Sequence, residues 1–334
     1  MMAAATAAMY GAPVTVIEKN KRQGRKLMIT GKGRCNITNN CDVNKLIENT
    51  ATNPRFLYSA FSQFSPRDTM DFFESRGVPL KTERGDRVFP QSDKAADIND
   101  ALVGYCREAG VRFITECAAE RIIAEDGAVK AVIADGREMK CSACIVALGG
   151  ASYPATGSTG DGYAMVRQLG HTVTPISPSL VPLEVYEADE CREMQGLALK
   201  NIAITVTDEK KSKVYTDFGE LLFTHFGISG PVVLSASSHI RSGEGHTLSI
   251  DLKPALTAEQ LDNRIRSDFS KNLNKDFANS LGALLPRSMI NVIVRRSGIP
   301  PETKVNTITR EQRASLVALI KGYELRIKSF RPIA

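Results

Sequence analysis

No tryptophan occurs among the 334 residues, and aromatic residues make up only 6% of the chain. Stacking platforms for unpaired bases are therefore scarce, and no zinc-finger or RNP signature accompanies the basic residues. No apolar run approaches the roughly 18 residues of a membrane-spanning helix. Cysteine is sparse and odd in number, seven in all, which argues against a disulfide scaffold. No Cys/His set has zinc-ligand spacing, so no metal is expected. No basic-then-apolar leader opens the chain, and a reducing cytoplasm is the expected compartment. Internal repeats and low-complexity segments are absent as well. What is present is ordinary: 43% hydrophobic and 24% charged residues, a globular composition with length for about two domains. The formal net charge of +6 is spread along the chain, densest at residues 19–26 and 287–296. That reads as a solvated surface, so neither nucleic acid nor membrane is an expected partner.

The order of patterns suggests α/β organisation. Residues 1–10 are small and apolar and end at Gly11, which reads as a buried helix with a glycine stop. Residues 13–17 read as a short strand closed by Glu18. Helices are expected over 54–64, 66–77 (with Ser65 as N-cap), 94–109 and from Asp161 to Gly170. A strand is expected over 111–115. A meander is expected over 121–140, with turns at Asp126-Gly127 and Asp135-Gly136. Cys144-Ile-Val-Ala-Leu148 reads as a buried strand running into Gly149-Gly150. From His171 to about Lys253 the pattern is strand-rich, apart from a short helix after Gly230-Pro231. Residues 257–321 are helical in period, opened by a capping box at Thr257, and 323–330 turn strand-like.

A helix leading directly into a strand that ends in an acidic residue is the second half of a βαβ unit. In dinucleotide-binding folds that acidic residue bonds the adenosine ribose, about 20 positions after a Gly-x-Gly-x-x-Gly loop. Here Glu18 occupies the ribose position, and no such loop stands before it. The run that follows is dense in glycine, basic groups and amides, Gly24-Arg-Lys-Leu-Met-Ile-Thr-Gly-Lys-Gly-Arg-Cys-Asn36. Gly31 and Gly33, with Arg34 and Asn36, suit a loop whose N–H groups approach a phosphate or a planar ring. Lys19, Lys26 and Arg34 can offset negative charge. Ala147, Gly149 and Gly150 would let a cofactor lie against backbone at the carboxyl end of a sheet. Gly160 and Asp161 open a helix whose N-terminus is either a second anion site or an ordinary cap by Thr159 or Asp161.

Together these stretches resemble the aminoacetone-oxidase-like and bile-acid-reductase-like FAD-binding oxidoreductases of the BaiN/YhiN type. The resemblance rests on Val16-Ile-Glu-Lys19, Thr-Gly-x-Gly-Arg-Cys-Asn36, residues 147–162, and the run Phe-Thr-His-Phe-Gly-Ile-Ser-Gly-Pro231. It covers essentially the whole chain. It implies a Rossmann-like three-layer FAD-binding domain (1–178), a β-barrel-like insert (179–255 and 322–334) and a helical insert (256–321). It further implies that Glu18 holds the ribose, that Arg34, Cys35 and Asn36 lie near the flavin, and that Ala119 offers backbone to the adenine. Members of the family begin with a strand and glycine loop and end with a further flavin segment. The expectation is therefore a chain truncated at both ends of its FAD domain. The implied activity is hydride exchange between flavin and a small organic substrate, by amine oxidation or enone and steroid-type reduction, with NAD(P)H as a candidate electron donor. Rival readings are a tRNA-modifying flavoprotein and an inactive remnant or interaction protein.

Among other reactive residues, His225 is the one histidine inside a family-like motif, a candidate proton donor or substrate-orienting group. Cys35 and Cys41 share the flavin loop, but no second glycine fingerprint for NADPH supports a disulfide-reductase reading. Cys141-Ser-Ala-Cys144 has thioredoxin spacing, yet Cys144 opens an apolar run where small residues are usual.

Overall fold

Small side chains decide the first contact. Helix α1 (Met2–Met9) buries only Ala4 and Ala5, which allow close approach to Cys106 and Val111. The expected burial of the whole segment does not hold, since Tyr10 is 89% exposed. The computed structural model describes residues 1–240 and 243–333 (Arg241, Ser242 and Ala334 lie outside it). By contacts the chain divides into two units, Met1–Pro175 and Ile176–Ile333.

In the first unit, strand β1 (Thr15–Ile17) runs parallel to a later strand, Arg112–Ile114. Between them come β2 (Thr38–Asn39), α2 (Val43–Glu48), α3 (Tyr58–Gln63), α4 (Pro66–Ser75), β3 (Leu80–Glu83), β4 (Arg87–Pro90) and α5 (Ala95–Glu108), and Arg112–Ile114 is β5. Ser65 and Asp68 close the expected cap of α4 as a reciprocal capping box. Strands β2, β4 and β3 form a small antiparallel sheet in that order, which the sequence pattern did not announce. The meander is as expected: β6 (Ala119–Glu125), β7 (Ala128–Ala134) and β8 (Arg137–Lys140) pair in sequence. Helix α6 (Asp161–Gln168) closes the unit.

One expected strand is absent. Residues 144–148 form no strand, and Ile145, Val146 and Leu148 are 65%, 39% and 37% exposed. A strand exists only through its ladder, because each extended residue must pair its N–H and C=O. Among the described residues β1 pairs with β5 alone, and no strand pairs with 144–148. The apolar run thus has the composition of a buried strand without a neighbour to make it one. On one side it meets α6, where the space above Gly162 is filled by Val146 and Leu148.

The second unit is a closed barrel of β9 (Leu183–Val185), β10 (Ala198–Thr207), β11 (Lys213–Thr224), β12 (Gly227–Ser229), β13 (Thr247–Asp251) and β14 (Tyr323–Phe330). The circular order is β10-β11-β12-β9-β14-β13. Alternate residues point inward, as period-two patterning requires: Ile202, Ile204 and Val206 of β10 are buried, as are Tyr323, Leu325 and Ile327 of β14. Among the described residues six helices accompany it: α7 (Ala188–Glu193), α8 (Pro231–Ser237), α9 (Ala258–Ser270), α10 (Phe277–Ser280), α11 (Arg287–Ser297) and α12 (Arg310–Lys321). Thr257 and Thr309 cap α9 and α12 in reciprocal boxes. Barrel and helices share one hydrophobic core. Among the described residues no helix is long and apolar enough to cross a membrane.

Candidate functional site

The site grows from the end of β1. Glu18 extends the parallel pairing by one residue, its N–H donating to the Ile114 carbonyl (2.9 Å) and its carbonyl accepting from Cys117 N–H (3.1 Å). Its backbone is therefore held at the carboxyl end of the β1/β5 pair. The carboxylate Oε1 accepts two N–H groups of Asn20, from the backbone (2.8 Å) and from Nδ2 (2.7 Å). Ala119, at the start of β6, lies two residues beyond Cys117, half-buried and paired with Ala134.

Residues 18–26 are joined to residues 149–161 by three side chains. Lys19 Nζ donates to Thr159 Oγ1 (2.9 Å) and Asp161 Oδ2 (2.7 Å). Asn20 Nδ2 also donates to the Thr156 carbonyl (3.3 Å). Lys26 Nζ donates to Ser152 Oγ (2.8 Å) and to its carbonyl (3.1 Å). The bond from Lys19, then that from Thr159, holds the Asp161 carboxyl below the usual carboxylate range. This changes the reading of α6. Gly160 is its N-cap, at φ +83° and without a side-chain cap; Thr159 and Asp161 serve Lys19 instead. Gly157 shows why this loop needs glycine: at φ +98°, a Cβ there would lie 2.7 Å from Asn20 Nδ2.

The loop at 31–36 is organised differently. Gly31 (φ +55°) is tight against its own chain, since a Cβ would lie 2.9 Å from both Asn36 N and the Phe89 ring. Gly33 faces open space. Arg34 is committed to carboxylates, reaching Glu83 (2.8 Å) and Asp93 (3.4 Å), with its guanidinium 4.1 Å over the Phe89 ring. Cys35 is buried beside Phe73 and Ile98, and burial pushes its thiol pKa up. Asn36, with its amide nitrogen turned toward the carbonyls of Thr38 (3.0 Å) and Val88 (3.1 Å), ties the loop to β4.

His225 belongs to the barrel unit. It is exposed in the two-residue turn between β11 and β12, edge-on to Phe226 with ring centroids 5.0 Å apart. Among the described residues no group of three or more His, Cys, Asp or Glu could hold a metal ion. All seven cysteines are free thiols.

Sequence reasoning missed Asn20, Ser152 and Thr156. Asn20 stands two residues after Glu18, a spacing at which an amide can fold back on a carboxylate. Ser152 and Thr156 lie more than a hundred residues from their partners and leave no local signal.

The donor set suits a dinucleotide. Glu18 Oε1 takes both Asn20 N–H groups while Oε2 accepts no hydrogen bond among the described residues, and Lys19 and Lys26 bring cations to the adjoining loop. The backbone N–H groups of residues 145–152 make no hydrogen bond among the described residues, and Lys26 reaches the last of them, Ser152.

Comparison with known proteins accords with this. Residues 1–278 match the model of the HI0933-like protein Rossmann domain. The chain is 29% identical over 326 residues to a 3-dehydro-bile acid delta(4,6)-reductase of Clostridium scindens, covering 95% of this chain and 77% of that protein. It is 30% identical over 325 residues to a ribosomal RNA dihydrouridine synthase of Escherichia coli, covering 96% and 76%. Among solved structures it is similar to an E. coli quinol fumarate reductase, at 15% identity and TM-score 0.43, covering 80% of this chain and 54% of that one. With the family model spanning most of its length, the chain belongs to the HI0933-like Rossmann-domain family of FAD-binding oxidoreductases.

Proposed function

We propose that this chain binds FAD and delivers hydride equivalents to a carbon–carbon double bond conjugated with a carbonyl group. The cofactor half rests on Glu18 at the end of β1, joined through residues 19–26 to the loop at 149–161. In this reading Glu18 takes the adenosine ribose and Ala119 offers backbone to the adenine. Lys19, Lys26, Gly160 and Asp161 form the anion side. Ala147, Gly149 and Gly150, with Gly31, Gly33, Arg34, Cys35 and Asn36, border the flavin. Bound FAD would supply a two-electron donor at the ring, and a reduced nicotinamide nucleotide is the candidate reductant.

The choice of reaction rests on what the two relatives' names share. A 3-dehydro delta(4,6) steroid carries a ketone conjugated with ring double bonds. Dihydrouridine is uridine with its 5,6 double bond, conjugated with a carbonyl, saturated. Both are hydride additions to an electron-poor alkene followed by protonation of the adjacent carbon, which favours reduction over amine oxidation. His225, exposed and without a hydrogen-bond partner among the described residues, is the candidate proton donor.

The test starts from an absorption spectrum of the purified chain mixed with FAD. A chain that retains no flavin overturns the proposal and favours an inactive or interacting protein. If flavin is retained, it is reduced anaerobically and offered a 3-oxo-4-ene steroid, ribosomal RNA or no acceptor. Reoxidation by the steroid, with the saturated ketone recovered, supports a small-molecule reductase. Reoxidation by RNA alone, with dihydrouridine recovered, supports the second reading, an RNA-modifying enzyme, which the 30% identity to the E. coli protein favours. Bleaching of the oxidised flavin by a primary amine, without either reoxidation, would refute alkene reduction.

A further inference from the structure

We infer that Asn20 is the positioning residue for Glu18, setting the rotation of its carboxylate so that one oxygen is presented to the cofactor ribose. The inference rests on the ribose role proposed for Glu18. The backbone of Glu18 is fixed on both sides, by Ile114 and Cys117. Its side chain would still turn about three torsions, and an unrestrained carboxylate loses that freedom only on binding. Asn20 removes it beforehand. Two N–H groups of this one residue converge on Oε1, at 2.8 and 2.7 Å, which leaves Oε2 as the acceptor for a hydroxyl.

The orientation of Asn20 is itself determined. Arg25 Nη1 donates to Asn20 Oδ1 (3.1 Å), so the amide nitrogen must face Glu18. The same nitrogen reaches the Thr156 carbonyl (3.3 Å), and the Asn20 carbonyl accepts from Glu116 N–H (3.1 Å). Every polar group of Asn20 is thus engaged. Gly157 lies so close that any side chain there would press on Nδ2. Aspartate would fill the same space, but it would replace a donor by a second carboxylate beside Glu18. Alanine would leave Glu18 with the backbone bond alone.

The experiment measures binding of ADP-ribose and of FMN, which lacks the adenosine half, to the whole chain by calorimetry. The proteins compared are the unaltered chain, Asn20→Ala, Glu18→Gln and the double variant. Asn20→Ala is expected to weaken ADP-ribose about tenfold, the scale of one well-formed hydrogen bond and the order it imposes, and to leave FMN unchanged. The double variant is expected to bind no more weakly than Glu18→Gln, because Asn20 acts through that carboxylate. Asn20→Asp is expected to bind ADP-ribose poorly, because a second carboxylate replaces the donor beside Glu18. A merely structural tie would instead weaken both ligands, or add its loss to that of Glu18→Gln; either result overturns the role of Asn20. No loss in Glu18→Gln itself overturns the ribose assignment, and the inference falls with it.

Discussion

Replacing Lys26 by methionine should release the loop at 149–161 while leaving both units folded. Methionine keeps most of the apolar stem, so the loss is confined to two charge-assisted bonds, to Ser152 Oγ (2.8 Å) and the Ser152 carbonyl (3.1 Å). Both residues are half-buried, and water can reach the freed oxygens, which reduces each bond to the scale of a neutral one, about 0.5–1 kcal/mol. Together they amount to about 1–2 kcal/mol, or roughly a 5–30-fold increase in loop opening. The reporters are the amides of Thr156, Gly157 and Thr159, which bond within the loop to Tyr153, Pro154 and Gly157. Hydrogen exchange followed by mass spectrometry or NMR should show them exchanging faster by that factor. The control is Lys45→Met, which breaks only the exposed pair with Asp86 (2.9 Å) and is expected to leave those amides unchanged. Equal exchange in the Lys26 variant and the unaltered chain would refute the claim that this side chain docks the loop.

Three further outcomes are expected. Gly157→Ala imposes a left-handed conformation on a residue with a Cβ and crowds Asn20; it should cost about 1–2 kcal/mol in a denaturant titration and weaken ADP-ribose in parallel with Asn20→Ala. Tyr323→Phe removes a fully buried hydroxyl that donates to Glu190 (2.7 Å) but keeps the ring under Arg296 (4.2 Å); the loss should be about 1–2 kcal/mol, read as a lower denaturation midpoint at unchanged slope. In acid, the depressed pKa of Asp161 contributes stability that is complete above its unfolded value near about 3.9 and is lost as pH falls through the lower folded value. Because Lys19 and Asp161 are 34% and 45% exposed, Asp161→Asn should flatten the acid limb of stability against pH by less than about 1 kcal/mol, and acid limbs of equal steepness in the two proteins would count against the Lys19 pair.

Local chemistry was legible in the sequence wherever the partners are neighbours in the chain. Ser65 and Thr257 cap their helices through residues three positions on. The Asp-Gly turns of the meander sit at positive φ, as their type requires. Alternation in β10, β13 and β14 follows inward and outward faces set by a period of two. The placement of Glu18 at the end of a parallel strand was readable for the same reason, because a small apolar helix, a strand and an acid in succession form one local pattern. Tertiary structure decided the rest. Residues 144–148 have a strand's composition, but among the described residues β1 has a single neighbour, and pairing is a property of the partner as much as of the segment. Arg34 reads as a free cation in the sequence, and only the fold brings Glu83 and Asp93 to it. The cross-links of Lys19 to Asp161 and of Lys26 to Ser152 join residues more than a hundred positions apart. No periodicity records such pairs, since a hydrogen bond over that separation depends on where the chain returns, and the packing of the whole unit sets that.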